Sequence, residues 1–139
     1  MDTVIVIMKK DKKTGLFEKE LQTLNISKYE QCILNIYALE NENNQVFLNI
    51  KLTTEKDVSD WEYNAIYDYY DMSIFENEGY NINECEEEYN PTWEIIIPYT
   101  DNNNKLTSIL NNILEIHYKE LEEVYSVIKD KEGEYKNEE

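Results

Sequence analysis

Apolar positions in the first third of the chain fall into short runs with a period near two. Residues 3–8, TVIVIM, are almost continuously apolar, which fits a strand buried on both faces. A polar turn closing on Gly15 leads into a weaker strand over 16–24. Over 32–39, Cys32, Leu34, Ile36 and Ala38 fall on one side, and Ile33, Tyr37 and Leu39 on the other. After a turn at 41–44, Val46, Leu48, Ile50 and Leu52 alternate with Phe47, Asn49, Lys51 and Thr53, the pattern of a half-buried strand. These four strands are expected to run as an antiparallel meander.

The period then lengthens. Ser59 and Glu62 have capping-box spacing, with Asp57 and Asp60 at the positive end of the helix they would start. At about 100° per residue, Val58, Trp61, Ala65, Tyr69 and Met72 share one broad face. Asp57, Asp60, Asn64, Asp68 and Asp71 crowd into an arc of roughly 80° on the other. The pattern breaks over 73–91, where Gly79, several Asn and the acids Glu84, Glu86, Glu87 and Glu88 read as a long acidic loop. Trp93, Ile95, Ile97 and Tyr99 mark a fifth strand, and Pro98 suggests an edge position or an early end. Residues 102–104, all Asn, open a long helix over about 105–129, whose apolar stripe runs from Leu106 to Ile128. Glu115 and Lys119 form a favourable i,i+4 pair on its outer side.

The expected order is β-β-β-β-α-β-α. This is an α+β fold with a mainly antiparallel sheet of about five strands and two helices packed on one face. The 139 residues suit a single domain. It comprises a strand meander (1–56), an acidic, aromatic helix-loop-strand (57–104), a C-terminal helix (105–132) and a frayed tail (133–139).

Charge changes the picture. The chain holds 13 Lys, no Arg and 30 acids, for a net of −17. Residues 1–56 balance eight Lys against eight acids, whereas 57–104 hold thirteen acids and no base. About three-quarters of the net charge thus lies in a third of the chain. Direct binding of nucleic acid or an anionic membrane is disfavoured, because phosphate recognition runs on Lys and Arg. The apolar run of 4–8 is too short for a signal-peptide core or a membrane span. Cys32 and Cys85 lack CxxC spacing and read as free thiols. Abundant Asn, Ile and Tyr beside zero Arg look like AT-rich coding. The expected setting is the cytoplasm of a bacterium, or of a cell infected by its phage.

Catalytic chemistry finds little footing. The three Gly are far apart, so no phosphate-cradling loop forms from them. One His and two separated Cys do not make a zinc set. His117 lies between Ile113 and Leu121 on the apolar stripe and reads as a core histidine more readily than as a general base. Cys32 sits in an apolar strand, and the Glu residues around Cys85 disfavour its thiolate. The stretch near Gly79 departs from the EF-hand ligand order, with Ile74 where the first Asp belongs. No catalytic residue, cofactor or metal is expected.

What remains is the acidic, aromatic middle, which holds ten of the seventeen aromatics. Tyr and Trp anchor interfaces, and depletion of Lys fits a contact surface. The expected function is a non-enzymatic inhibitor that blocks a basic surface of a nucleic-acid enzyme, with carboxylates standing where phosphates would. The binding residues would be Asp57, Asp60, Asp68, Asp71, Glu76, Glu78, Tyr80, Glu84, Glu86, Glu87, Glu88 and Tyr89. The chain resembles, as a type and without a shared motif, toxin-immunity proteins and phage-encoded inhibitors such as anti-CRISPR or other anti-defence proteins. The alternatives are a metal-dependent hydrolase using the acidic loop, and a structural or regulatory subunit assembling through its Tyr-rich face.

Overall fold

A computed structural model of the chain describes residues 3–136. Strands β1 (Thr3–Lys10) and β2 (Phe17–Ile26) lead through a 3-10 turn (Glu30–Cys32) to β3 (Ile33–Glu40) and β4 (Val46–Thr53). Helices α1 (Asp60–Tyr69) and α2 (Ser73–Asn77) precede β5 (Asn81–Glu84) and β6 (Thr92–Pro98). Helices α3 (Asn103–Ile128) and α4 (Glu132–Lys136) follow. The strands form one six-stranded sheet in the order β2-β1-β3-β4-β6-β5. All neighbours are antiparallel except β1 and β3, which pair in parallel through Lys9 with Ala38 and Lys10 with Leu39. The fold is α+β, with a mainly antiparallel sheet.

Alternation decides which face is covered. Ile7, Leu24, Ala38, Leu48, Ile50, Ile95 and Ile97 point inward and share one core cluster with Ala65 and Ile66 of α1 and Leu106, Leu110, Ile113 and Leu121 of α3. The helices therefore lie on one side of the sheet. Caps set their starts: Glu62 Oε1 accepts the Ser59 N–H at 3.0 Å, and Asn102 Oδ1 accepts the Lys105 N–H at 3.1 Å. The Glu115–Lys119 pair forms at 3.0 Å. No helix among the described residues is long and apolar enough to cross a membrane.

Four expectations need correction. The first four strands are not a meander, because β2 takes the sheet edge and the chain crosses the end of β1 to place β3 on its other side. The apolar β1 thereby gains two neighbours, and the charged start of β2 blunts the edge. The long acidic loop is shorter than expected, since α2 buries Phe75 completely and β5 adds a sixth strand through Ile82, 7% exposed. Helix α1 ends at Tyr69 and buries Ala65 and Ile66, because Tyr70 leaves the helix to stack on Trp93 at 4.0 Å. Tyr69 itself is 40% exposed, with the Lys131 ammonium 5.3 Å from its ring. The part of the frayed tail that is described, 133–136, belongs to α4, where Tyr135 packs 6.4 Å from Trp61. Residues 137–139 lie outside the described residues.

Pro98 keeps its place for the reason the sequence suggests. Tyr99 donates its N–H to Val46, so the position of the missing amide at Pro98 faces the other side. There β5 has not yet begun, its first pair being Asn81 with Ile96.

Candidate interaction surface

The acidic surface is assembled by tyrosines. Tyr63 and Tyr67 stand one turn apart on α1, their rings edge to face at 5.2 Å. The Tyr63 hydroxyl donates to the Glu86 carbonyl at 2.9 Å. The Tyr67 hydroxyl lies 2.9 Å from the Cys85 carbonyl and accepts the Thr92 N–H at 2.9 Å. Asn90 closes the other end: its Oδ1 accepts the Val58 N–H, and its Nδ2 donates to Asp57 Oδ1 at 3.0 Å. The turn between β5 and β6 is therefore clamped along α1 rather than hanging free. Between them lies a cleft of 460 Å³ lined by Tyr63, Asn64, Tyr67, Asp68, Glu84 and Glu86.

Crowded carboxylates feel one another there. The Glu84 carboxyl is raised above the usual range by partial burial and then by the charges of Glu86 and Asp68. Asp60 is exposed in the first turn of α1, where the helix dipole favours it. Asp68 is exposed as well, yet its Oδ2 accepts the Tyr135 hydroxyl at 2.6 Å. Glu86, Glu87 and Tyr89 are exposed on the clamped turn, Tyr89 at 81%, and Glu88 is half-buried. The ion pairs among the described residues join Lys9, Lys119, Lys131 and Lys136 to acids of the first and last segments, and none reaches 57–104.

Not every expected residue joins this surface. Asp71 lies beyond the end of α1, where its Oδ1 accepts the Ser73 N–H at 3.0 Å. It cannot continue the helical stripe. Glu76 and Glu78 are exposed on and just after α2, near the start of β5 and away from Glu84 at its end. Tyr80 is half-buried against the core, 6.4 Å from Phe75. The aromatic richness is mostly internal: Trp93, Phe75 and Tyr70 are buried, and the Tyr63 and Tyr67 hydroxyls hold backbone. An assembly face made of tyrosines is thus reduced to Tyr69 and Tyr89 as the exposed members.

A second acidic group escaped notice in the sequence. Glu120 is only 6% exposed on the buried side of α3, and its Oε2 accepts the Asp71 N–H at 2.9 Å. Burial raises its carboxyl first; the Asp71 N–H bond opposes the rise, and the charges of Glu123 and Asp71 add to it. The available signal was an acid three residues after His117, on the apolar stripe.

The groups that could do chemistry are occupied or suppressed. His117 is fully buried, with Nε2 2.9 Å from the Thr53 carbonyl and Nδ1 2.7 Å from the Tyr70 hydroxyl. The carbonyl can only accept, so Nε2 carries the proton and Nδ1 takes the tyrosine's. Burial pulls its pKa down to about 4, leaving a neutral core histidine. The Cys32 thiol is pushed up to about 12, by burial first and then by Glu55 and Glu30. Cys85 is raised by burial and by Glu94. Among the described residues, no three His, Cys, Asp or Glu are grouped to hold a metal ion.

Comparison with curated proteins and with solved structures gives no match. A family model does match, over residues 1–136, and by it the chain belongs to a family of unknown function, DUF6762.

Proposed function

We propose that the protein is a non-enzymatic acidic binding protein that occupies a basic surface of a nucleic-acid enzyme, in the manner of an anti-defence inhibitor or a nuclease-toxin immunity protein. One observation carries the reading. Thirteen acids in 57–104 stand without a lysine in that segment, and no ion pair among the described residues reaches them, Lys51 opposite Glu94 in the sheet being their nearest cross-strand cation. A solvated face ordinarily mixes signs, because single-sign crowding raises the energy of the compact state. A basic partner would relieve that repulsion on binding and be steered to it before contact. The tyrosine clamp supports the same reading, because carboxylates fixed in space lose less entropy on binding than carboxylates on a free loop. The hydrolase alternative gains nothing comparable from the side-chain arrangement.

Affinity capture from a native-host or phage-infected lysate at low salt tests this. The comparison is between the wild-type chain and one carrying Asp60→Asn, Glu84→Gln and Glu86→Gln. The expected result is a basic nucleic-acid-binding enzyme that the wild type retains, the amide variant releases, and added duplex DNA or RNA displaces. A captured partner indifferent to both the substitutions and the competitor would remove the phosphate-mimic reading.

A further inference from the structure

The described helices cover one side of the sheet and leave the other without a helical layer. Val4, Val6 and Phe17 are 61%, 43% and 53% exposed there. Leu39, Phe47 and Ile96 line a shallow depression on the same side with Asn49. None of these six apolar residues packs against the core cluster. Lys10 lies across this face, 4.1 Å from the Tyr37 ring and 5.7 Å from that of Phe17. Lys51 and Glu94 share its next row through the β4–β6 register.

An antiparallel sheet with one wet face normally alternates apolar-in and polar-out. Strand β1 does not. Its TVIVIM run has the composition of a strand buried on both faces, yet the chain buries only one of them. We propose that the outer face of the sheet is the contact surface of a two-fold dimer of this chain, the two sheets packing face to face.

Area and charge both favour a second copy. Central strands of eight residues in a six-stranded sheet present roughly 25 by 25 Å, or about 600 Å² per copy, at ~3.3 Å rise and ~4.8 Å spacing. Pairing two such faces buries about 1,200 Å², the lower bound of the size range of specific interfaces. Charge decides the orientation. With Lys10 and Lys51 against Glu94 and the Glu20 that pairs with Met8, this face is balanced and avoids the excess of acids that dominates the chain. Packed sheets lie ~10 Å apart, and each helical layer adds about 10 Å more. The acidic helices of two copies then point away from each other at about 30 Å, nearly four Debye lengths at physiological salt. Contact through α1 would instead press like charges together. A closed two-fold presents the same patch on both copies, and pairing through this face leaves the acidic surface free whatever that surface binds.

Sedimentation equilibrium of the full chain over a range of concentrations tests the proposal. A mass approaching twice that of one chain is expected, with dimerisation unchanged or stronger as NaCl is raised. A monomer at every concentration overturns it, as does a dimer that salt dissolves, which would indicate contact between the lysines of one copy and the acids of another. The variant Val6→Glu with Phe47→Glu should keep the circular dichroism spectrum and lose the dimer by roughly 100-fold, as unpaired charge in an apolar contact does. Should that pair fail to fold, Val6→Thr with Phe47→Thr retains strand-compatible side chains and must still weaken the dimer. A dimer indifferent to a folded variant of this face overturns the proposal.

Discussion

The β1–β4 region and the segment from α1 to β6 solve the same packing problem with opposite surfaces. The first balances its charges and buries aliphatic residues such as Ile7, Leu24, Leu48 and Ile50. The second, with its flanks over 57–104, carries a net of −13, and yet it contributes the largest buried side chains, Trp93 and Phe75. Trp93 stacks on Tyr70, which in turn hydrogen-bonds His117. The lesson is that aromatic density and acidic density in one segment do not belong to one surface. The rings face inward and hold the segment down, and this anchoring is what lets it tolerate so many like charges outside.

The largest effect should come from removing that anchor. Trp93→Ala deletes a fully buried ring and should cost about 3–5 kcal/mol in denaturant unfolding. Trp61→Ala removes only a half-buried ring and should cost clearly less. Equal costs would mean the acidic segment is not held by its inner aromatics, and the contrast between the two regions would fail.

Next in size is a pH effect. His117 falls from the ordinary 6.5 to about 4 on folding, so between those values the unfolded chain binds a proton that the folded chain refuses. Stability from this group is complete above 6.5 and is lost as pH falls toward 4, at about 1.4 kcal/mol per pH unit. Neutralising the surface acids acts the other way over part of that window. The measurement is therefore a difference: wild type should lose stability relative to His117→Gln, by up to about 3 kcal/mol across the window. Parallel pH profiles would show that the histidine is not neutral in the fold.

Much of this was legible in the sequence, for local reasons. The alternation of β4, the Ser59–Glu62 cap and the stripe of α3 each depend on residues a few positions apart. The sites that were misread depend on distant partners. Strand β5 offers a single apolar residue, Ile82, between two Asn, and becomes a strand only because β6 lies beside it. Helix α1 stops where Tyr70 finds Trp93 and His117, which are 23 and 47 positions away. For the candidate surface, exposure of the acids followed from composition. The bond from the Ser73 N–H to Asp71 just before α2 and the tyrosine clamp did not. Those bonds run from a hydroxyl to a backbone group 18–25 residues on, and no periodicity reports them.

A smaller effect concerns that clamp. In Tyr67→Phe the Thr92 N–H loses its acceptor, which should cost about 1–3 kcal/mol, the range for a buried donor left unpaired. Amide exchange in the turn after β5 should quicken more than in β4. If exchange there stays as slow as in the wild type, the turn is not held through Tyr67, and the fixed carboxylates proposed for partner binding lose their physical basis.

The smallest expected change is the one that isolates charge from packing. Glu84→Gln, Glu86→Gln and Glu87→Gln remove three exposed charges from the acidic segment while keeping side-chain size. Folding disfavours the ionised form of Glu84, whose carboxyl is raised by burial and by Glu86 and Asp68. The destabilisation from that residue is absent at pH values where both states are protonated, and builds as pH rises past the ordinary carboxylate range. At neutral pH and low salt the variant should therefore melt slightly higher than the wild type, by a degree or a few. Salt screens exposed charges over about 10 Å at 0.1 M, so the wild-type melting temperature should rise with NaCl and the gap between the two should close. The same change made in the balanced region, Glu18→Gln beside Lys9 at 3.4 Å, should do the reverse and lower the melting temperature or leave it unchanged. A triple variant that melts lower than the wild type at low salt would show that the acids of 57–104 are stabilising in place, already matched within the fold, and would leave a basic partner with no repulsion to relieve.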